Sequence, residues 1–179
     1  MSKLERESQM LCKITGPNGE SVHGGAFTYP LPKNGNPGEW APDRHVDVCR
    51  SGYHLTSDVP RWWVPGARIW VAEGRGEAKT LEDKTCFASV RLTREITDAE
   101  LATLHVFVSG AWEMECGKAV AYGSATVRAF GSATVDAFGS ATVISRQAKP
   151  TVKLTEKAVH VARGDGTAKP KIHVARKEK

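Results

Sequence analysis

The most regular hydrophobic pattern in the chain lies in residues 121–143, where nearly the same eight residues occur three times. The sequence AYGSATVRAFGSATVDAFGSATV places an aromatic residue, Gly, Ser, Ala, Thr and Val at a fixed period. Self-similarity at a fixed period is the signature of a repeat architecture. Side chains of an extended chain alternate between two faces, so an even period also puts each position of the repeat on the same face in every unit.

Two β structures could accommodate this repeat, and we favour a β-solenoid with two units per coil. In a solenoid the Ala and Val of every unit share the inward face, while Thr and the variable residue after Val point outward. The Gly-Ser pairs would form the corners, and the small inward residues would make the solenoid narrow. The predicted inward residues are Ala125, Val127, Ala133, Val135, Ala141 and Val143.

The alternative for the repeat is a β-meander in which each Gly-Ser pair forms a two-residue type II′ turn. Pairing Phe130 beside Ala133 would then put Arg128 on the same side of the sheet as Val135. Each face would mix charged and aliphatic side chains, so neither could be buried cleanly. After Ile144 the strict spacing is lost, although β-branched residues continue.

The pattern before the repeat predicts an α+β domain that contains more strand than helix. Strands are predicted for AFTYP, HVDVC, ARIWVAEG, DKTCFASVRLTREI and HVFVSGAWEMEC, and Gly-, Pro- and Asn-rich loops separate several of them. In the fourth segment, a period of two is visible, in which the first set of residues alternates with the second: Cys86, Ala88, Val90 and Leu92 with Phe87, Ser89, Arg91 and Thr93. We therefore expect a strand-rich α+β domain over residues 1–116 and a β-repeat over residues 117–144.

Two short helices are predicted by capping signals in the same region. Ser57 or Asp58 can cap the first helix, which would carry Trp62 and Trp63. Thr97 stands three residues before a glutamate, the spacing of a capping box, and predicts a second helix. Trp62, Trp63 and Trp70 could form a base- or ligand-stacking platform, and Arg61 is a further candidate binding residue. Packing in the core is the alternative for these large aromatic residues.

The charge of the chain is unevenly distributed. Residues 145–179 carry ten Lys and Arg against three Asp and Glu, so the net charge of +5 is a property of this basic extension, for which we expect irregular structure or edge strands. A basic extension attracts nucleic acid electrostatically, although it can equally be a solvated segment that aids solubility. The candidate contacts are Lys169, Lys171, Arg176 and Lys177.

The cysteine and histidine positions give little indication of a metal site. His45, Cys49 and His54 could supply three zinc ligands, but their spacing matches no familiar zinc finger and a fourth ligand is not evident nearby. We therefore expect no metal. The opening residues are charged and lack the apolar segment of a secretory signal peptide, and no apolar run approaches the ~18 residues that span a bilayer.

One segment resembles an uncharacterised family that we associate with actinobacteria and their phages. The family pairs a Cys-x-x-Gly-aromatic-His segment with a downstream strand, an Asp-Lys pair, an Arg-Glu pair and GSATV repeats, over roughly residues 25–145 here. The matching residues are Cys49, Gly52, Tyr53, His54, Asp83, Lys84, Arg94 and Glu95. The resemblance implies a phage-related origin, in the host cytoplasm or the virion, without implying a reaction.

A second and weaker resemblance is to ADP-ribosyltransferase folds, whose sequences often contain a Gly-x-Tyr-x-Thr-like segment, a short helix and a strand. The sequence SGYHLTSDVPRWWVPGARIWV is similar in order. This resemblance implies NAD as cofactor, with Tyr53 and His54 in the site and His23 holding the ribose. The late glutamate that such enzymes use would be Glu95, Glu113 or Glu115.

The sequence thus leads us to expect a phage-type accessory or structural interaction protein rather than an enzyme. Its repeat would present a β scaffold to protein partners or to other copies of the chain, with no cofactor and no membrane association. An ADP-ribosyltransferase that uses NAD and a nucleic-acid binder that uses the basic extension are the two alternatives.

Overall fold

The structure is a computed structural model, and it describes residues 10–48, 50–146, 150–155, 157–163 and 171–174. The chain divides into two compact units, Met1–Ile96 and Thr97–Lys179. We call them the barrel unit and the solenoid unit after the strand arrangement that each contains. Among the described residues, no helix has the length and apolar character needed to cross a membrane.

The barrel unit is built around antiparallel strands that close into a small barrel in the order β1-β2-β4-β3. These strands are β1 (Cys12–Thr15), β2 (Tyr53–Thr56), β3 (Arg68–Thr80) and β4 (Lys84–Glu95), and α1 (Val59–Trp62) follows β2. The strands β3 and β4 form a long hairpin, and β1 pairs with the start of β3. The barrel is therefore closed by residues that are far apart in the sequence.

The core of the barrel unit mixes large aromatic side chains with aliphatic ones. Its buried residues include Tyr29, Tyr53, Leu55, Trp70, Val90 and Leu92. Buried Tyr and Trp need partners for their polar atoms. The Trp70 indole N–H donates to the Thr15 hydroxyl at 2.9 Å, and the Tyr53 hydroxyl donates to the Pro42 carbonyl at 3.0 Å.

Several predicted elements of this unit are confirmed. The strands expected for ARIWVAEG and DKTCFASVRLTREI are parts of β3 and β4. The first helix begins after Asp58, one of the two predicted cap positions, but the Asp58 side chain makes no capping hydrogen bond. Trp62 is the last residue of α1, whereas Trp63 is its C-terminal cap and is buried.

The prediction of strands for AFTYP and HVDVC is wrong. The described residues there form only isolated bridges, Glu20 with Thr28 and Asp47 with Ser51. The Ser51 amide donates to the Asp47 carbonyl at 2.7 Å, which closes a tight turn where the alternating residues indicated a strand. Alternation alone cannot distinguish such a segment from a strand, because pairing depends on a partner elsewhere in the chain.

The predicted alternation along β4 fails at Ser89, which is fully buried. Its hydroxyl donates to the Ala41 carbonyl at 2.6 Å, so the polar atom is satisfied inside the unit. The pairing register with β3 also shifts between Arg75 and Ala78, as in a β-bulge. A bulge adds a residue to one strand and re-aims the side chains near it, which breaks a strict period of two.

The solenoid unit stacks parallel strands in two sheets, as the repeat predicted. The first sheet contains β5 (Val106–Phe107), β7 (Lys118–Ala121), β9 (Thr134–Ala137) and β11 (Thr151–Leu154). The second contains β6 (Ala111–Met114), β8 (Thr126–Ala129), β10 (Thr142–Arg146) and β12 (Val159–Arg163), with β13 (Lys171–Val174) antiparallel at its edge. The stretch 106–162 makes about 3 turns.

The prediction of two repeat units per coil is confirmed by the register of the strands. Thr142 lies opposite Thr126, and Thr134 lies opposite Lys118, each pair separated by two eight-residue units. All six residues predicted to point inward are fully buried, and Ala129 and Ala137 join them. The core of the solenoid therefore consists mainly of Ala and Val, and the parallel ladders bring the same residue types into register.

The corners of the solenoid explain why each unit contains glycine. Gly123, Gly131 and Gly139 have φ values of 63°, 51° and 63°, which L side chains rarely adopt. A Cβ on Gly131 would also lie 2.6 Å from the Glu115 carbonyl oxygen of the preceding coil. In the corner itself, the Ala133 amide donates to the Phe130 carbonyl at 3.1 Å.

The solenoid begins earlier and extends further than the repeat in the sequence. The strands β5 and β6 belong to the segment HVFVSGAWEMEC, which was expected in the N-terminal domain, yet both pair in the solenoid sheets. Before them, α2 (Asp98–Thr103) has the predicted capping box of Thr97 and Glu100, and Ala102 packs against the solenoid core. After the repeat, β11 and β12 continue the two sheets into the basic extension.

Candidate functional site

A cavity of about 460 Å³ in the barrel unit is the candidate site. Its walls come from β1, β2, the start of β4, the glycine-containing loop at residues 21–25 and the turn at residues 50–52. This volume lies within the range of about 300–1,000 Å³ that is common for small-molecule sites. Among the described residues that line the cavity, none is Asp or Glu.

Basic side chains dominate the charge of the cavity. Lys13, Arg44, Arg50 and Lys84 line it, together with His23 and His54. In the described part of the chain, none of these four Lys and Arg side chains forms an ion pair with a carboxylate. Charges of one sign in a concave wall reinforce one another and attract an anion.

Aromatic rings, rather than carboxylates, lie beside three of these cations. The Arg44 guanidinium is 4.8 Å from the centroid of the Tyr53 ring, and Lys13 Nζ is 4.7 Å from that of Tyr29. Lys84 Nζ is 4.6 Å from the centroid of the Trp62 ring. Cation–π contacts stabilise a cation without cancelling its charge. The cavity therefore keeps its positive potential.

The ammonium of Lys13 has a pKa that its buried position shifts. Its ammonium donates a hydrogen bond to the His54 carbonyl at 3.1 Å. Burial lowers the pKa of Lys13 to about 8, and the nearby Cys86 thiol opposes that shift. Desolvation disfavours the charged form of a lysine unless a negative charge is close. An anion in the cavity would therefore favour the protonated form of Lys13.

His54 has a buried ring nitrogen, Nε2, that has no hydrogen-bond partner among the described residues. Burial lowers the pKa of His54, and the positive charges of Lys84 and Lys13 lower it further. Both effects favour the neutral form of the imidazole. Buried polar side-chain atoms usually have a partner, so this atom is suited to receive one from a ligand.

Trp62 is fixed in place at one side of the cavity. Its indole N–H donates to the Asp83 carboxylate at 2.7 Å, and Arg61 pairs with the same carboxylate at 3.2 Å. The His23 ring meets the Trp62 ring edge-on at 5.5 Å, and His23 Nε2 is also within hydrogen-bond distance of the Trp62 carbonyl. Of the predicted platform, only Trp62 lines the cavity, since Trp63 and Trp70 are buried and Arg61 is turned to Asp83.

Residues of the Cys-x-x-Gly-aromatic-His segment and the Asp-Lys pair meet at this cavity. Gly52, Tyr53, His54 and Lys84 all line it. Gly52 has a φ of 97°, and a Cβ there would lie 2.6 Å from the Cys86 sulfur, so this position requires glycine. Asp83 contributes by holding Trp62, while Cys49 lies outside the described residues.

The residues proposed for ADP-ribosyl transfer are brought together only in part. His23, Tyr53 and His54 line the cavity. Glu95 does not, because its carboxylate forms a two-point ion pair with Arg68, which lowers its pKa. Glu113 and Glu115 are exposed residues of the solenoid unit, and Glu113 pairs with Arg128 at 3.1 Å.

The weak zinc candidates do not form a ligand set in the described part of the chain. His45 is exposed and does not line the cavity, and no group of three His, Cys, Asp or Glu among the described residues could hold a metal ion. Of the basic extension, Lys171 begins β13, whereas Lys169, Arg176 and Lys177 lie outside the described residues.

Sequence reasoning missed three of the basic residues that line the cavity, Lys13, Arg44 and Arg50. Lys13 offered a signal, because it stands in the apolar strand sequence LCKIT, where a charged residue needs an explanation. Arg44 and Arg50 lie in loops, and the sequence around them contains no such signal. Only the closure of the barrel brings these positions into one wall.

Comparison with known proteins identified no relative of this chain. No family model matches it, and neither a search of curated proteins nor a search of solved structures returned a significant match. The geometry of the cavity and of the solenoid is therefore the basis for the functional proposal.

Proposed function

We propose that the protein is a non-enzymatic accessory protein with two binding regions, of which the barrel cavity holds a small anionic ligand and the solenoid is a rigid scaffold. The observation that carries this proposal is the cavity wall with four Lys and Arg and, among the described lining residues, no carboxylate. Acid–base and glycosyl-transfer chemistry commonly use a carboxylate in the site. The lining of this cavity supports binding of an anion instead.

The solenoid supports the second part of the proposal. Its inward and corner residues are repeated, whereas the outward position after Val changes from Arg128 to Asp136 to Ile144. Such a framework holds different outward side chains at fixed spacings on a rigid surface. We propose that this surface binds protein partners or other copies of the chain, as an accessory protein of the host cytoplasm or the virion would.

Anion binding is tested with the full-length protein by isothermal titration calorimetry with inorganic tripolyphosphate at low and physiological salt. We expect saturable binding that weakens as the salt concentration rises. Replacing both Arg44 and Lys84 with Gln should weaken it at least tenfold. The matched control replaces Arg75 and Arg91, which pair with Asp43 and Glu73 on the outside of the same unit. Equal binding by both double variants would contradict the proposed site.

The scaffold part is tested by sedimentation velocity over a range of protein concentrations and by crosslinking to isolated host or virion proteins. We expect either concentration-dependent self-association or a defined crosslinked partner that Arg128→Glu or Ile144→Asp weakens. A monomer at all concentrations, with no partner in either preparation, would remove the support for a scaffold.

ADP-ribosyl transfer is the second candidate, because His23, Tyr53 and His54 do line one cavity. Incubation of the protein with labelled NAD and bacterial lysate tests it directly. Transfer of label that is lost in His54→Ala would favour the enzyme over the binding protein. The nucleic-acid alternative is tested separately by replacing Lys169, Arg176 and Lys177 with Gln, which should reduce the salt dependence of DNA binding if the extension is responsible.

A further inference from the structure

In the described part of the barrel unit, four arginines outside the cavity pair with carboxylates, whereas the Lys and Arg of the cavity form no ion pair. Outside the cavity, Arg61, Arg68, Arg75 and Arg91 each have an acidic partner within 3.5 Å. The four Lys and Arg of the cavity have none in the described part of the chain. Several unpaired cations on one concave wall repel one another, so a ligand with several negative charges would stabilise them together.

The same wall offers flat aromatic surface beside the charges. Phe27 and Tyr53 contact each other at 5.2 Å between ring centroids, and Arg44 lies over both. Trp62 is half-buried, with its indole N–H engaged outside the cavity by Asp83. Lys84 Nζ and the Arg61 guanidinium lie 4.6 and 5.7 Å from the centroid of this ring, so a planar ring that stacks on Trp62 has to displace one of these cations. A ligand that matches this wall therefore combines a planar ring with a polyanion.

Resting on the proposed anion-binding function, we infer that the cavity binds a nucleoside polyphosphate, with its base against Trp62 and its phosphates at Lys13, Arg44, Arg50 and Lys84. Arginine and lysine are the usual partners of phosphate oxygens, and bases stack on Trp whatever their identity. His54 Nε2 would donate a hydrogen bond to the ligand when its proton is on that nitrogen. Because the described lining has no carboxylate to share a divalent metal with the phosphates, binding should persist in EDTA.

The inference is tested by calorimetric titration of the full chain, in EDTA, with ATP, GTP, inorganic tripolyphosphate and adenosine. ATP and GTP should bind about tenfold or more tightly than tripolyphosphate, because stacking adds to the charge interaction. Adenosine should bind most weakly. Trp62→Leu should reduce the affinity for ATP by about tenfold or more and reduce the affinity for tripolyphosphate much less, because only the nucleotide loses a stacked base.

Trp112→Leu is the matched control, since Trp112 is also partly exposed and donates its indole N–H to the Ser109 carbonyl at 2.6 Å, but lies in the solenoid unit. It should leave all four affinities unchanged. If Trp62→Leu does not fold by circular dichroism, Trp62→Phe replaces it. ATP should then quench the tryptophan fluorescence of the parent protein more than that of Trp62→Phe.

Three results would overturn the inference. Equal affinities for ATP and tripolyphosphate, unaffected by the Trp62 variants, would show that the cavity binds a polyanion but makes no contact with a base. The proposed anion-binding function would then stand, and the inference of a nucleotide ligand would be wrong. Adenosine as tight as ATP would remove the role of the phosphates. Binding of none of the four ligands at low salt would refute both the nucleotide and the anion-binding function.

Discussion

The two units of this protein bury their β-sheets in different ways. The barrel unit closes antiparallel strands around large, different side chains, including Tyr29, Tyr53 and Trp70. The solenoid unit stacks parallel strands on a core of mainly Ala and Val. The irregular packing of the barrel unit leaves room for a cavity lined by several kinds of side chain. The regular packing of the solenoid unit gives a uniform core and a variable outer surface. This difference underlies our proposal that the barrel unit binds a ligand and the solenoid unit presents side chains.

The strongest loss of stability should come from placing a charge in the solenoid core. Val135 is fully buried, so Val135→Asp should destabilise the solenoid unit by more than about 4 kcal/mol and unfold it. Thr134→Asp, one residue earlier and outward, should change stability by less than about 0.5 kcal/mol. Urea denaturation followed by circular dichroism measures both.

The same experiment also shows whether the two units are independent. Four of the five tryptophans belong to the barrel unit, at positions 40, 62, 63 and 70, so fluorescence reports mainly on the barrel. We expect the fluorescence transition of Val135→Asp to stay near that of the parent protein. Loss of both transitions together would show that the units fold as one.

A smaller effect is expected from the glycine corners of the solenoid. Gly131→Ala forces a side chain into a positive φ and towards the Glu115 carbonyl, and should lower the free energy of unfolding by about 3 kcal/mol. Gly66→Ala is the control in the barrel unit, because Gly66 has a φ of 78° but nothing within 4 Å of its position for a Cβ. It should lose about 1 kcal/mol. Equal losses in chemical denaturation would mean that the close approach between coils is unimportant.

The affinity of the barrel cavity for an anion should depend on pH through the ionisation of Lys13. Its pKa is lowered to about 8, so the ammonium loses its proton as the pH rises through that value, well below the range of an ordinary lysine. The affinity for tripolyphosphate should therefore fall about tenfold between about pH 8 and pH 9.5, because one fewer cation is present. Calorimetry of Lys13→Arg, which stays charged, should give a flat profile over this range. A matching fall in Lys13→Arg would assign the pH effect to another group.

Removing one whole coil tests whether the coils are interchangeable. Deletion of residues 126–141 joins Ala125 to Thr142, and Thr142 occupies the same register as Thr126. Each coil contacts only its neighbours, so the shortened solenoid should fold with a modestly lower denaturation midpoint and leave the barrel midpoint unchanged. An aggregated product would show that the coils are not interchangeable.

Most of the solenoid can be predicted from the repeat in the sequence. The even period places Ala125, Ala133 and Val143 on one face, and that parity holds in the fold because parallel coils repeat the same environment. The sequence did not indicate that β5 and β6 form the first coil, since their residues do not follow the repeat. Backbone pairing with the next coil, rather than a shared motif, holds them there.

Local signals in the sequence were sufficient for the strands β3 and β4, for the positions of both helices and for the inward face of the repeat, because each depends on residues close together in the chain. They were not sufficient for the isolated bridge at AFTYP and the turn at HVDVC, for the burial of Ser89, or for the wall that Lys13 and Arg44 share with Trp62. Those features depend on barrel closure, which joins distant segments such as Cys12 with Val71, whereas each coil of the solenoid pairs with the coil next to it in sequence.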